Sequence, residues 1–441
     1  MPVVTSVRTD FYQVPLPVVL TDSTHGAIPH FELVTVRVAD SDGATGLGYT
    51  YAVNSGAEAF AVLVDRYLAP VVVGADVDRT EDTWQRMWWA LHYAGRGGHA
   101  TSAISAVDVA LWDLRARRAD QPLWRYFGGY DPQVPVYAGG IDLDLPVEAL
   151  LEQSDRFRKE GFRAIKMKVG RPDWREDVER VRRMREHLGD GFPLMVDANM
   201  KWSVDQAVKV ARALVGFDLV WLEEPTIPDD VEGHVRVLRD GGLPIAAGEN
   251  LHTLYEFRTA MAAGAVTYPE PDVCNVGGMT VFRKVAALAE AHNLPLTSHG
   301  AHDLTVHLMA AVPNRTYMEA HGFGLERYLA EPLEITDGVA VAPDRPGHGL
   351  TLDFAALEAH RVGGSRASGD RPGLGGGRDR WRRDGGWCER GQGDGRRARQ
   401  SDERDERAGG HGSSGEDGAG EGRAGPGPRR AAGTRSGSCG A

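Results

Sequence analysis

The chain has 441 residues, 42% of them apolar and 25% charged, with a formal net charge of −12. That length and apolar share allow two or three domains with full cores, and the acidity argues against nucleic acid as a partner, because phosphate backbones are bound through clustered cations. Three cysteines, Cys274, Cys388 and Cys439, imply no disulfide framework. The absence of a cationic-then-apolar start or of a long apolar run makes a soluble, cytoplasmic protein without a membrane partner the expectation.

The first elements read as strands over 3–15, 31–38 and 46–51, with a loop over 16–29 and a hairpin turn at Ala39-Asp-Ser-Asp-Gly43. From Glu58 to about Arg118 the period is helical, most clearly over 102–117, giving a compact α+β region. Strand and helix patterns then alternate, with candidate strands at 134–138, 164–169, 194–197, 219–223, 245–249, 267–273, 296–299 and 316–319. Eight such strands favour an α/β fold of the TIM-barrel, (β/α)8 type, modified near its end, over an open doubly wound sheet. Residues 328–361 are strand-like and turn-rich and are expected to return to the N-terminal region. From 363 to 441, 24 of 79 residues are Gly and 16 are Arg, a composition that cannot bury enough surface to order itself. This stretch reads as a disordered tail or an out-of-frame translation.

Catalytic groups of such barrels stand at the C-terminal ends of strands. Asp197, Glu223 and Glu249 close three successive apolar runs at intervals of 26 residues, the length of one β/α unit, so each unit delivers one acid to the same rim. Three hard oxygen ligands together suggest Mg2+. Only one of Glu223 and Glu224 can face inward, and Glu223 is chosen; Asn199 shares the parity of Asp197. Lys166 and Lys168, two apart at the end of the second strand, share one face, where crowding by a second cation, a metal and desolvation would lower a lysine pKa towards that of a useful base. Asp272 and His299, ending the sixth and seventh strands, suit a His–Asp acid/base pair, and Glu319 ending the eighth suits a hydrogen bond to a substrate carboxylate.

The motifs Lys166-x-Lys168, Asp197-Ala-Asn199, Glu223-Glu-Pro225, Gly248-Glu249-Asn250, Pro271-Asp272 followed by Gly277-Gly278, Ser298-His299 and Glu319 resemble those of the enolase superfamily, mandelate racemase subgroup, over residues 3–362. The resemblance implies an N-terminal α+β capping domain (1–125), a (β/α)7β barrel (126–327) and a C-terminal segment (328–362) returning to the capping domain, with 363–441 as the tail. It implies that Asp197, Glu223 and Glu249 bind Mg2+, and that Lys168 is a base with Lys166 near the substrate carboxylate. It further implies that His299 with Asp272 is the second acid/base, that Glu319 polarises the carboxylate, and that the subunits form a homo-oligomer, often an octamer. Substrate choice would lie in the capping loops, here 16–29 with Asp22, His25 and His30, and the turn Gly95-Arg-Gly-Gly98, with Asn199 below; these polar residues favour a hydroxylated small-molecule substrate. Glu270 departs from the pattern, which places Gln there. The activity expected is Mg2+-dependent removal of the proton α to the carboxylate of a sugar acid, with β-elimination to a 2-keto-3-deoxy acid by ring-opening cycloisomerisation or dehydration. The alternatives are a 2-hydroxy-acid racemase or epimerase, and a non-catalytic structural protein on an enolase-like fold.

Overall fold

The computed structural model describes residues 1–321 and 324–368. The chain begins with an antiparallel sheet, β1 (Val4–Asp22), β2 (Gly26–Asp40) and β3 (Thr45–Val53), joined at its open edge by β14 (Arg361–Ser368) in the order β14-β1-β2-β3. Residues 16–29, expected as a loop, are instead the far end of the β1–β2 hairpin. Beyond an irregularity after Pro15, pairing resumes from Leu20 opposite Ile28 to Asp22 opposite Gly26. Prolines and exposed valines hide this ladder from pattern reading, because the pairing rests on backbone groups. Residues 363–368, assigned to the tail, form most of β14, in register from Ser6 opposite Ser368 to Phe11 opposite Gly363 and, past an irregularity, with Tyr12 opposite Arg361. A ladder along an existing edge needs no apolar side chains, so composition does not reveal it. Residues 369–441 lie outside the described residues.

The helix His99–Arg118 packs on this sheet and is buried on nearly every side, including Ile104, Val107, Leu111 and Leu114 on its apolar positions and Asp108 and Asp113 among its polar ones. It joins the two halves of the molecule. Towards β3 it lies so close that a Cβ on Gly48 would stand 2.6 Å from the amide nitrogen of Ala110. Towards the barrel, Asp108 accepts from the Thr280 hydroxyl at 2.6 Å and amide at 2.9 Å.

The second half is a barrel of eight parallel strands: β4 (Gln133–Gly139), β5 (Ile165–Lys168), β6 (Leu194–Asp197), β7 (Leu222–Glu223), β8 (Ile245–Ala247), β9 (Tyr268–Pro269), β10 (Leu296–Ser298) and β11 (Arg315–Ala320). A bridge between Asp272 and His299 closes it between β9 and β10. After β11 a short hairpin, β12 (Ile335–Thr336) and β13 (Val339–Val341), pairs antiparallel with the start of β4. The barrel floor is aromatic: Tyr137 and Trp221 meet edge to face at 5.4 Å, and Tyr268 and Tyr317 pack around them. Among the described residues no helix is long and apolar enough to cross a membrane.

Candidate active site

The floor fixes what stands above it. Side chains two residues apart on a strand share a face, so strands that place Ala164, Met195, Trp221, Tyr268 and Tyr317 in the floor place Lys166, Asp197, Glu223, Glu270 and Glu319 one layer higher. All five are buried. Lys166 Nζ lies 2.6 Å from Glu223 Oε1, 2.8 Å from Glu319 Oε1 and 5.5 Å from the centre of the Tyr137 ring below it. One step higher, Lys168 is ion-paired to Asp197. Asp197, Glu223 and Glu249 each offer an oxygen to one cluster whose members lie within 4.8 Å of one another. Trp221 Nε1 fixes the other Glu223 oxygen at 3.1 Å, and the Asn199 amide fixes Asp197 Oδ1 at 2.8 Å. Glu224 takes a left-handed backbone (φ 36°) and its carboxylate receives Asn250 Nδ2 at 2.9 Å, so Glu223 alone of the pair joins the cluster.

On the other wall, His299 Nδ1 lies 2.8 Å from Asp272 Oδ2, which also accepts from the Tyr51 hydroxyl at 2.8 Å, while the Cys274 amide holds Asp272 Oδ1 at 2.6 Å. This fixes the ring with Nε2 turned to the cluster, 3.1 Å from Glu249 Oε2 and 3.6 Å from Glu319 Oε2. The Gly300 amide donates to Glu319 Oε2 at 3.1 Å. Sequence reading missed Tyr51 and His321. Nothing local ties Tyr51 to Asp272, 221 residues away. His321, whose ring lies 5.3 Å from that of His299, follows Glu319 by two residues, so strand parity would have found it.

The carboxylates set the charge of the two lysines. Burial lowers the lysine pKa values, but Glu223 and Glu319 around Lys166, and Asp197 around Lys168, outweigh it and hold both ammonium groups charged. The same pairing, led by Lys166, holds Glu319 well below the usual carboxylate range against its burial. Burial and then the negative charge of Asp197 push Glu223 up to about 8. For His299, burial is outweighed by Glu249 and Glu319, so its imidazole is held above its ordinary value. Three carboxylates thus converge on one point, and the buried Glu249 Oε2 has no aligned hydrogen-bond donor. These residues fit a divalent cation held by Asp197, Glu223 and Glu249.

The remaining expected residues divide. Asn199 sits at the rim with a left-handed backbone (φ 41°) and a buried, unpaired Oδ1. His25, at the hairpin tip, pairs with Asp22 at 2.8 Å. His30 is not brought to the rim by any contact among the described residues; its Nε2 lies 2.8 Å from the Asn54 carbonyl and 2.9 Å from Gln13 Nε2, so it braces the hairpin. The turn at Gly95–Gly98 links two helices, with Gly98 at the start of the helix His99–Arg118. Glu270 Oε1 receives the Tyr137 hydroxyl at 3.0 Å, and burial, followed by Glu223, pushes its pKa well up.

A capping sheet over a parallel barrel, with acids on consecutive strands between a lysine pair and a His–Asp pair, defines a class. Residues 5–128 match the mandelate racemase / muconate lactonizing enzyme N-terminal domain and residues 149–356 the enolase C-terminal domain-like family, and the chain belongs to this family. It is 68% identical over 357 residues to the 3,6-anhydro-alpha-L-galactonate cycloisomerase of Streptomyces coelicolor, covering 81% of this chain and 99% of that one. The L-talarate/galactarate dehydratase of Salmonella typhimurium is 35% identical over 74% of this chain and 81% of its own. Among solved structures, a racemase from Streptomyces coelicolor A3(2) with bound magnesium superposes with a TM-score of 0.80 at 66% identity, covering 82% of this chain and all of that one. The L-talarate dehydratase of Polaromonas sp. JS666, complexed with Mg and L-glucarate, superposes at 0.79 with 36% identity, covering 83% of this chain and all of that one.

Proposed function

We propose that the protein removes the proton α to the carboxylate of a sugar acid and expels the β-oxygen, and that its substrate is 3,6-anhydro-L-galactonate, opened to a 2-keto-3-deoxy acid. The observation that carries this reading is the placement of two acid/base groups, Lys168 and His299, on opposite walls of one carboxylate cluster. The 68% identity to a cycloisomerase of that substrate, across nearly the whole of that protein, supports the choice of acid. Mg2+ held by Asp197, Glu223 and Glu249 would acidify the α-proton by stabilising the negative charge that develops as it leaves.

Lys166, between Glu223 and Glu319, supplies positive charge at the floor of the site, where a substrate carboxylate oxygen gathers charge. Lys168 and His299 stand to take the proton from C2 and to return one to C3. Asp272 keeps the His299 tautomer and orientation fixed. In 3,6-anhydro-L-galactonate the β-substituent is the ring oxygen, so expelling it opens the ring without losing an atom. The protein acts by this reading as a soluble enzyme of the cytoplasm, in a homo-oligomer such as an octamer.

The test is a panel of sugar acids including the anhydro acid, with products trapped by semicarbazide. Elimination yields a trappable keto acid, whereas a racemase yields only a stereoisomer. Lys168→Ala and His299→Asn are expected to lose at least about a hundredfold in kcat, and a chelator to abolish turnover until Mg2+ is restored. Full activity in Lys168→Ala would overturn the assignment.

A further inference from the structure

Ring opening leaves one charge without an obvious recipient. The ring oxygen departs as an alkoxide unless a proton reaches it as the C–O bond breaks. Above the rim, the β1–β2 hairpin carries a second imidazole–carboxylate pair. We propose that His25 is the general acid that protonates the departing ring oxygen, with Asp22 as its positioning residue. This rests on the ring-opening reading given above.

The pair is built rather than incidental. Asp22 is buried, and its Oδ1 accepts from the amides of Thr24 at 2.9 Å and His25 at 2.6 Å, so the carboxylate is pinned. Its Oδ2 then lies 2.8 Å from His25 Nδ1, which leaves Nε2 as the nitrogen facing away from Asp22. The tip itself is sewn to the barrel mouth. Ser23 Oγ donates to the Ala198 carbonyl at 2.7 Å, Thr24 Oγ1 donates to that of Asn199, and Lys201 Nζ reaches the Ser23 carbonyl at 3.1 Å. Thr21 meets the loop after β4 through the Leu143 amide at 3.1 Å and the Asp144 amide at 3.1 Å. Ala198 and Asn199 directly follow the cluster residue Asp197, so the hairpin tip overlies the rim.

The groups acting on His25 are Asp22, Glu249 and Lys168. Asp22 raises its pKa most, Glu249 adds to this, and burial and Lys168 oppose, so the ring is held above its ordinary value, which favours its protonated form. The half-exposed ring is a proton donor open to water for reloading, unlike the groups in the barrel wall.

The step balances within the substrate. A wall base takes the C2 proton, and the C–H electrons form the C2–C3 double bond as the C3–O bond breaks. The ring oxygen keeps that bond's electrons and takes the proton from His25 Nε2, becoming the C6 hydroxyl. The enol then ketonises with one proton delivered to C3, while His25 reloads from water as the C2 base releases its proton. The net change is an isomerisation with no co-reactant.

The experiment compares His25→Gln with the unaltered protein in D2O, measuring deuterium at C2 of recovered 3,6-anhydro-L-galactonate alongside keto-acid formation. The expected result is a fall of about a hundredfold in ring opening, with C2 exchange within about threefold of the unaltered rate, so that exchange outruns elimination. Asp22→Asn is expected to shift the same ratio in the same direction. Ring opening at the unaltered rate in His25→Gln, or equal loss of exchange and opening, would overturn the proposal. If the unaltered protein neither opens the anhydro acid nor exchanges its C2 proton, the ring-opening reading itself fails, which is a separate outcome.

Discussion

Glu270 stands in the barrel layer of Lys166, Asp197, Glu223 and Glu319 but takes no part in the metal-type cluster. Burial and the charge of Glu223 keep it protonated, and its hydrogen-bond partner is Tyr137 beneath Lys166. A neutral acid and a neutral amide are close in shape, so Glu270→Gln should keep kcat/KM within about threefold. The two should differ with pH. A carboxyl whose folded pKa lies above its unfolded value of about 4.3 stabilises the fold at low pH and loses that contribution as pH rises towards the folded value. Chemical denaturation across pH should therefore show Glu270→Gln gaining on the unaltered protein as pH increases. Gly300 is the opposite case, a position that admits no side chain. Its φ is 56°, and a Cβ would strike the Tyr51 hydroxyl and stand 2.9 Å from Asp272 Oδ2. Gly300→Ala should displace the Asp272–His299 pair and cost about a hundredfold in kcat with the protein still folded, as read by circular dichroism alongside turnover. These residues also mark what the chain discloses on its own. The 26-residue interval and strand parity sufficed for Asp197, Glu223, Glu249, Lys166 and Glu319, because a barrel repeats. The partner of His30, the Asn54 carbonyl, is not legible in the chain, because it depends on how two strands of another sheet are paired.

At the scale of elements, the helix His99–Arg118 is the joint. Its period is plain in the sequence, but its depth is not, since it is covered by β3 on one side and by the barrel on the other and shows no single apolar stripe. Gly46 and Gly48 let it approach β3; Gly48→Val should destabilise the protein by at least about 3 kcal/mol, seen as a lower urea midpoint. Asp113 on the same helix accepts from the Leu47 amide at 2.9 Å and the His348 amide at 2.9 Å, and pairs with Arg117 at 2.8 Å. It thus ties β3 to the chain beyond the barrel. Asp113→Ala leaves those buried donors unmatched and should cost about 3 kcal/mol, with the thermal midpoint lowered and the metal affinity unchanged.

Across the whole molecule, the two ends of the described chain meet at β1 and β14. Asp10, buried, gathers Arg8 at 3.0 Å, Arg37 at 2.7 Å and Arg361 at 2.8 Å. Burial alone would raise its pKa, but hydrogen bonds from Arg37 and Arg8 outweigh it and hold the carboxyl below its ordinary range. A depressed folded pKa means stability that is complete above the unfolded value of about 3.9 and lost as pH falls through the folded one. Asp10→Asn should accordingly be less stable than the unaltered protein at neutral pH, with the gap closing as the solution is acidified below about pH 4. Ending the chain after His360 removes β14 and Arg361 and should lower the urea midpoint relative to a chain ended after Ser368.

The closure of this sheet also sets an order of events during synthesis. β1 leaves the ribosome well before β14, which follows more than three hundred residues later, an interval of tens of seconds at the usual pace of translation, about 5–20 residues per second. Throughout it, one edge of the N-terminal sheet offers unpaired amides and carbonyls to any strand nearby. In polysomes, where several nascent copies lie side by side, that open edge is a template on which a strand of another copy could pair. Keeping that edge unpaired until β14 arrives is then a demand that the order of synthesis places on folding.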